Sequence, residues 1–211
     1  MTLDCAVQDY RPFVEYMIMR YEGGYGWNAS DPGGPTKYGI TCYDLAEFKH
    51  EKMNSFAAWA PIVKAMTLAT ADQIYADKYA TACRFNDLNR GADIVVFDFG
   101  VNSGPSRAIK FAQAVVGVAQ DGVIGSVTLN AINSYPAADF INHLSSARLT
   151  FLHGLRTWRT FRSGWYARVA DLRIHSLALL HPDNKQAGPQ PKLGLIPLAF
   201  AKGYENPGSE Q

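Results

Sequence analysis

Cysteine is scarce in this chain: Cys5, Cys42 and Cys83 stand alone in 211 residues, an odd number with no CxxC spacing. That excludes a disulfide scaffold and a cysteine zinc site, and reduced thiols suit synthesis in a cytosol. Long hydrophobic runs are also missing. The longest apolar stretches, such as Leu193 to Ala201, are about half of the ~20 residues a membrane-spanning helix requires, so no span is expected. The opening MTLDCAVQDYRPF carries two acids and no apolar core, which does not match a conventional signal peptide. Charge is nearly balanced at +1, and charged residues are only 18% of the total, so nucleic acid is not the expected partner. The five histidines (His50, His143, His153, His175 and His181) form no HExxH; no metal and no other cofactor is expected. There is no internal repeat and no low-complexity tract.

What is present is a chain that buries a core. Hydrophobic residues make up 47%, which rules out a disordered polymer, and the length fits one domain or one domain with a closely packed second lobe. Charge is distributed unevenly. Residues 1–100 hold nine Lys/Arg against thirteen Asp/Glu, and residues 101–211 hold eleven against six, so the second half is the side expected to face an anionic partner. Between Arg148 and Arg173 there are six arginines and one acid, Asp171. These either attract an anionic polymer or decorate helix exteriors.

Helical periodicity covers most of the chain. Residues 4–21 place Phe13, Val14, Met17, Ile18 and Tyr21 on one stripe, ended by Gly23-Gly24. Residues 22–41 hold six glycines and two prolines, a composition for turns and short strands. Thr41 and Asp44 form a capping-box pattern for the next helix. A second signal, Thr70-Ala71-Asp72-Gln73, opens a segment running to about Cys83. The apolar run Ala92 to Val101 fits either a buried strand or a buried helix; helix is preferred, because no other strand of that length exists to pair with it. Pro105 suits a first helical turn, with Ala108, Phe111, Ala112 and Val115 as the apolar face. Residues 121–128, DGVIGSVT, read as a turn and a short helix capped at Ser126. Two longer helices are expected over 136–155 and 165–180, and a loosely packed tail after His181.

The chemistry concentrates in residues 22–41, EGGYGWNASDPGGPTKYGIT. A carboxylate at the end of an apolar helix, followed by a glycine hairpin bearing a second carboxylate and a hydroxyl, can set two acids across a cleft. Glycosidic cleavage needs that arrangement, with one acid protonated to donate to the leaving oxygen and an opposing group that fixes water or stabilises positive charge. Glu22, packed among Tyr21, Tyr25 and Trp27, would be partly desolvated and hold its proton; Asp31, on a wetter hairpin, would stay ionised. The same residues also read as an ordinary helix end and an Asp-stabilised turn.

A resemblance sharpens this reading. EGGY followed by DPGGPTKYGIT is similar to the N-terminal signature of glycoside hydrolase family 108, the muramidases of phage endolysins and secretion-linked bacterial proteins. The likeness continues through Phe97-Asp98-Phe99-Gly100-Val101-Asn102-Ser103-Gly104. Residues 121–128 resemble the DGxxGxxT core of the peptidoglycan-binding region that accompanies these enzymes, and Gly164-Trp165 with Arg168 matches its late GWxxR pattern. The resemblance covers about residues 10 to 175. It implies a mainly α, lysozyme-like, two-lobed helical fold with a small Gly-rich hairpin lobe at the active site: a catalytic lobe over 1–92, a helical lobe with the peptidoglycan-binding region over 93–181, and a tail over 182–211.

The activity implied is hydrolysis of the β-1,4 bond between N-acetylmuramic acid and N-acetylglucosamine. Glu22 matches the family's catalytic glutamate, the general acid. Glu22, Asp31 and Thr36 are similar to the Glu, Asp, Thr triad of the family 24 phage lysozymes, in which Asp and Thr hold the attacking water; the Asp-to-Thr interval is one residue shorter here. If they hold it here, the anomeric carbon inverts and the carboxyl groups stand roughly 6.5 to 9.5 Å apart. Tyr25 and Trp27 are candidates to stack on sugar rings or to pack the hairpin. Asn102 either bonds an acetamido group or shapes the cleft, and Asp121 either holds glycan or peptide stems or makes a tight turn. The expected partner is peptidoglycan, met as a monomer at the cell wall or periplasm, after synthesis in the cytoplasm and export through a holin or a secretion system.

Three other readings stay open. A cysteine peptidase would use Cys42, placed at a helix start where amide dipoles lower a thiol pKa, with His143, His153 or His175 as base. A lytic transglycosylase would use Glu22 alone and leave 1,6-anhydro ends. An inert wall-binding protein would keep the shape without the chemistry.

Overall fold

The computed structural model describes residues 24–27 and 33–180. The opening helix expected over 4–21, Glu22, Asp31, Cys5 and the tail after Leu180 lie outside the described residues. The chain divides into two compact units, Met1–Asn86 and Asp87–Gln211. The fold is mainly α, as the periodicity and the resemblance predict: the described residues hold eight α-helices, a π-turn, a short 3-10 turn at Phe85–Asp87 and one two-stranded sheet.

The first unit holds β1 (Thr36–Lys37) and β2 (Ile40–Thr41), an antiparallel pair with Thr36 opposite Thr41 and Lys37 opposite Ile40. The connection is two residues long, Tyr38 and Gly39, with φ of 52° and 74°. Both are left-handed, the geometry whose twist matches the flanking strands. Helix α1 (Cys42–Phe48) follows directly. Its capping box is the one expected: the Thr41 hydroxyl accepts from the Asp44 amide at 3.2 Å, and the Thr41 amide donates to Asp44 Oδ2 at 3.1 Å.

Helix α2 (Phe56–Ala65) was not legible in the sequence, because Pro61 lies inside it and interrupts the pattern a helix interior presents. Ser55 starts it by accepting from the Ala58 amide at 3.2 Å. The next helix begins earlier than expected. Thr67, and not Thr70, is the cap of α3 (Leu68–Ile74), its hydroxyl accepting from the Thr70 amide at 3.1 Å. The helix runs on as a π-turn over Tyr75–Ala80, which leaves Tyr75 and Tyr79 both buried with ring centroids 5.7 Å apart.

The second unit is built around α4 (Ala92–Ser103), buried at every position from Ala92 to Gly100. The apolar run is therefore a helix enclosed on all sides, which is why it shows no amphipathic period. Around it pack α5 (Pro105–Val116), α7 (Ala137–His153) and α8 (Trp158–Ala178), with α6 (Ser126–Ser134) against α5. Pro105 occupies the first turn of α5, as expected. Two boundaries differ from expectation. Ser126 is the first residue of α6 rather than its cap, which is Gly125 with no side-chain bond. Helix α8 starts at Trp158, seven residues before the expected Trp165, because Gly164 is carried inside the helix rather than before it.

Buried charge marks the middle of this unit. Asp98 is fully buried and receives Arg148 Nη1 at 2.6 Å and Arg168 Nη2 at 2.8 Å. Arg173 is buried as well and donates from Nε to Asn142 Oδ1 at 2.7 Å. Half of the arginine run between 148 and 173 is thus internal structure, and Arg156, Arg159 and Arg162 are the members left exposed.

Candidate active site

The described part of the 22–41 segment is the β1–β2 hairpin with Gly26 bridged to Thr36. Gly26 and Thr36 exchange both backbone hydrogen bonds at 2.9 Å, and Thr36 pairs on its other side with Thr41. Both backbone groups of Thr36 are therefore committed to Gly26, and on the β2 side it is held by the pairs that flank it, Lys37 with Ile40 and the Cys42 amide on Pro35 O at 2.9 Å. Its hydroxyl donates to Gly34 O at 3.3 Å, a weak bond to a near neighbour, so the side chain contributes little to the fold. In sequence, Glu22 stands four residues before Gly26, and Asp31 five before Thr36.

Three tethers fix the hairpin to the helices beneath it. Lys37 Nζ donates to Lys64 O at 2.8 Å and Met66 O at 2.6 Å, placing a cation on the unpaired carbonyls that end α2. Tyr75 donates its hydroxyl proton to Tyr38 O at 2.9 Å. Gly34 sits at φ 72°, and a Cβ there would lie 2.6 Å from the Phe56 ring and 2.9 Å from Cys42 Sγ. Only glycine fits that contact.

Of the aromatic candidates, Trp27 is 42% exposed, a large apolar plane left open to solvent beside the bridge. Tyr25 is half-buried, with Lys64 Nζ 5.8 Å from its ring centroid. Asn102 and Asp121 belong to the second unit. Asn102 lies half-buried in the last turn of α4 and accepts from Ser103 Oγ at 3.2 Å.

Asp121 is exposed, yet its Oδ1 is engaged by Gln113 Nε2 at 2.6 Å and by the Val123 amide at 2.9 Å. The Gln113 hydrogen bond, with the Val123 amide second, holds its carboxyl below the ordinary aspartate range. Gln113 is the organising residue that sequence reasoning missed. Fully buried, it also reaches Val123 O and Thr128 Oγ1 at 3.0 Å and accepts from the Gly122 amide at 2.9 Å. The only signal was a polar residue beside the apolar positions of α5, and its partners lie eight to fifteen residues away.

Cys42 does not carry the features a nucleophile needs. It is completely buried against Gly34, and burial pushes its thiol pKa up rather than down, so the thiolate is suppressed where a peptidase would require it. The first unit also has an open cavity of about 430 Å³ lined by Asp44, Glu47, His50, Asp77 and Lys78. Its cation is committed to structure: Lys78 Nζ lies 2.8 Å from Asp44 Oδ1 and is also paired with Glu47. Among the described residues no cluster of His, Cys, Asp and Glu has the arrangement of a metal site.

Residues 16–104 match the family described as Glycosyl hydrolase 108. No curated protein sequence matches the chain. Among solved structures, that of Brucella abortus SagA is 40% identical, covers 81% of this chain and 97% of its own, and superposes with a TM-score of 0.73.

Proposed function

We propose that this chain, which belongs to the glycosyl hydrolase 108 family, cleaves the β-1,4 bond between N-acetylmuramic acid and N-acetylglucosamine by general acid catalysis with a positioned water. At family level it is a peptidoglycan hydrolase with the cell wall as its place of action and a mainly helical, lysozyme-like fold. Residues 1–92 form the catalytic lobe and 93–181 the lobe that engages the wall, the protein acting as a monomer released by a holin or a secretion system.

Glu22 is the acid. Its carboxyl proton passes to the glycosidic oxygen as the bond to the anomeric carbon breaks, and water adds to that carbon from the opposite face. Asp31 accepts the water's proton and the Thr36 hydroxyl orients its oxygen. Trp27 offers the apolar plane for a sugar ring, with Tyr25 packing beneath the hairpin. Asn102, in the second unit, is a substrate contact, and Asp121 takes part in wall contact through the turn that Gln113 holds.

The observation that carries this reading is Thr36. It lies inside the family match, is locked by the Gly26 bridge and by β2, and has a hydroxyl that the fold hardly uses. A backbone that is fixed and a side chain that is not consumed are what a water-holding group requires.

Digestion of purified sacculi by the native protein and by Glu22→Gln, with masses of the released fragments, tests the reading. Native enzyme should release fragments with reducing ends while the variant binds and releases none. Fragments lighter by one water would mean anhydro ends and a transglycosylase. Release by the variant at the native rate would remove Glu22 from the chemistry.

A further inference from the structure

The first two turns of α8 present a surface that the glycan-cutting chemistry does not use. Trp158, Phe161 and Trp165 recur at spacings of three and four, so they share one helix face. Farther along, the same face is core, where Val169, Leu172 and Ser176 are buried. At the start of the helix the core ends. Leu149, Leu152 and Val169 form a buried cluster, with Leu155, Trp158 and Trp165 only partly covered against it. The rings form a chain: His153 lies 5.1 Å from Trp158, Trp158 6.3 Å from Trp165, and Trp165 5.6 Å from Phe161. Phe161 is 52% and Tyr166 46% exposed.

Cations edge this aromatic stripe. Arg156, Arg159 and Arg162 are exposed, and none has an ion pair among the described residues. From His143 to Ala170 there is no Asp, Glu, Asn or Gln. That absence selects the ligand class. Protein sites for sugars commonly receive hydroxyl protons on carboxylates or amides, whereas the acceptor side chains here are the hydroxyls of Thr157, Thr160 and Ser163. Indole, phenol and phenyl rings with unpaired guanidinium groups suit instead the boundary between lipid headgroups and acyl chains, where the rings sit at headgroup depth and the guanidinium groups meet phosphate.

We propose that this face docks the protein on an anionic phospholipid surface. Phe161 and Tyr166 enter the headgroup layer and Arg156, Arg159 and Arg162 pair with lipid phosphates. Docking is peripheral: no helix among the described residues is long and apolar enough to cross a membrane. The proposal does not depend on the assignment of Glu22, and its test is blind to glycan cutting.

Full-length protein is sedimented with phosphatidylcholine vesicles containing phosphatidylglycerol, and with vesicles of phosphatidylcholine alone, at low and high salt. It should pellet with the anionic vesicles only, and less at high salt. Arg159→Gln with Arg162→Gln should weaken binding about thirtyfold, the effect of two surface cations near a charged bilayer. Phe161→Ser should weaken it at constant salt dependence. All three positions are exposed, so the thermal midpoint should be unchanged. Absence of vesicle binding by the native protein overturns the proposal, as does equal binding to neutral vesicles or unaltered binding by the variants. Loss of sacculus affinity in these variants without any vesicle binding would assign the face to wall glycan and overturn it too.

Discussion

Arg168 donates from Nη2 to Asp98 Oδ1 at 2.8 Å and from Nε to the same oxygen at 3.1 Å, across seventy residues of chain. Two separate sequence blocks, FDFGVNSG and GWxxR, are thus joined in one buried ion group. Arg148 completes it, with its guanidinium carbon 5.3 Å from the centre of the Phe99 ring. Burial alone would raise the Asp98 pKa, but the facing Arg168 and Arg148 hold it below the ordinary range.

Removing the carboxylate should therefore cost more than any surface change. Asp98→Ala leaves two buried guanidinium groups facing each other and should destabilise by about 3–5 kcal/mol. Because the folded-state pKa is depressed, the stabilisation from Asp98 is present above about pH 4 and is lost as acid protonates it below that. Thermal melts at pH 7 and at pH 3 check both: the native and variant midpoints should lie farthest apart at pH 7, and the gap should narrow in acid.

Asp93 behaves in the opposite sense. It is buried at the start of α4, accepting from the Ile94 amide at 2.7 Å, and burial pushes its pKa up to about 7. The folded state then keeps a proton that the unfolded chain gives up near pH 4. Stability should fall as pH rises from about 4 to about 7, by up to about 4 kcal/mol on a one-group basis. Asp93→Asn retains the acceptor and should flatten that slope, raising stability at pH 8 while leaving it unchanged at pH 4. Urea unfolding across this range is the measurement.

Gln113→Leu should loosen the 121–128 turn without emptying the core. The Gly122 amide and Thr128 hydroxyl lose a buried partner, at a cost of about 1–3 kcal/mol for each unsatisfied group. The Asp121 carboxyl should return towards the ordinary aspartate value, since its largest lowering contact is gone. Carboxyl chemical shifts followed against pH would detect this even if the melt moved little.

Substitution of Thr36 is expected to separate catalysis from folding. Thr36→Val should leave the melting temperature within about 2 °C, because the lost hydrogen bond is long and local, yet reduce glycan release at least tenfold. Thr36→Ser should restore much of the rate. Equal rates for all three proteins would mean that the hydroxyl has no part in the reaction.

Gly34→Ala is expected to damage both properties. The added methyl meets Phe56 and Cys42 inside contact distance at a left-handed backbone position, costing about 1–3 kcal/mol and shifting β1, and Thr36 with it. A lowered midpoint with a lowered rate on sacculi is the expected pair of results.

Sequence alone determined what depends on neighbours along the chain. The Thr41–Asp44 box, the left-handed Gly-rich hairpin, Pro105 in a first turn and the helical character of most segments all follow from contacts within four or five residues. The glycine motif around Glu22, Asp31 and Thr36 was legible for the same reason. Tertiary structure alone decided where each helix starts when the local signals competed, as at Thr67 and Trp158, and carried α2 through Pro61. It also decided which polar residues are buried. Arg148, Arg168 and Gln113 look like surface groups in a one-dimensional pattern, and only the approach of partners eight to seventy residues away supplies the hydrogen bonds that offset their loss of water.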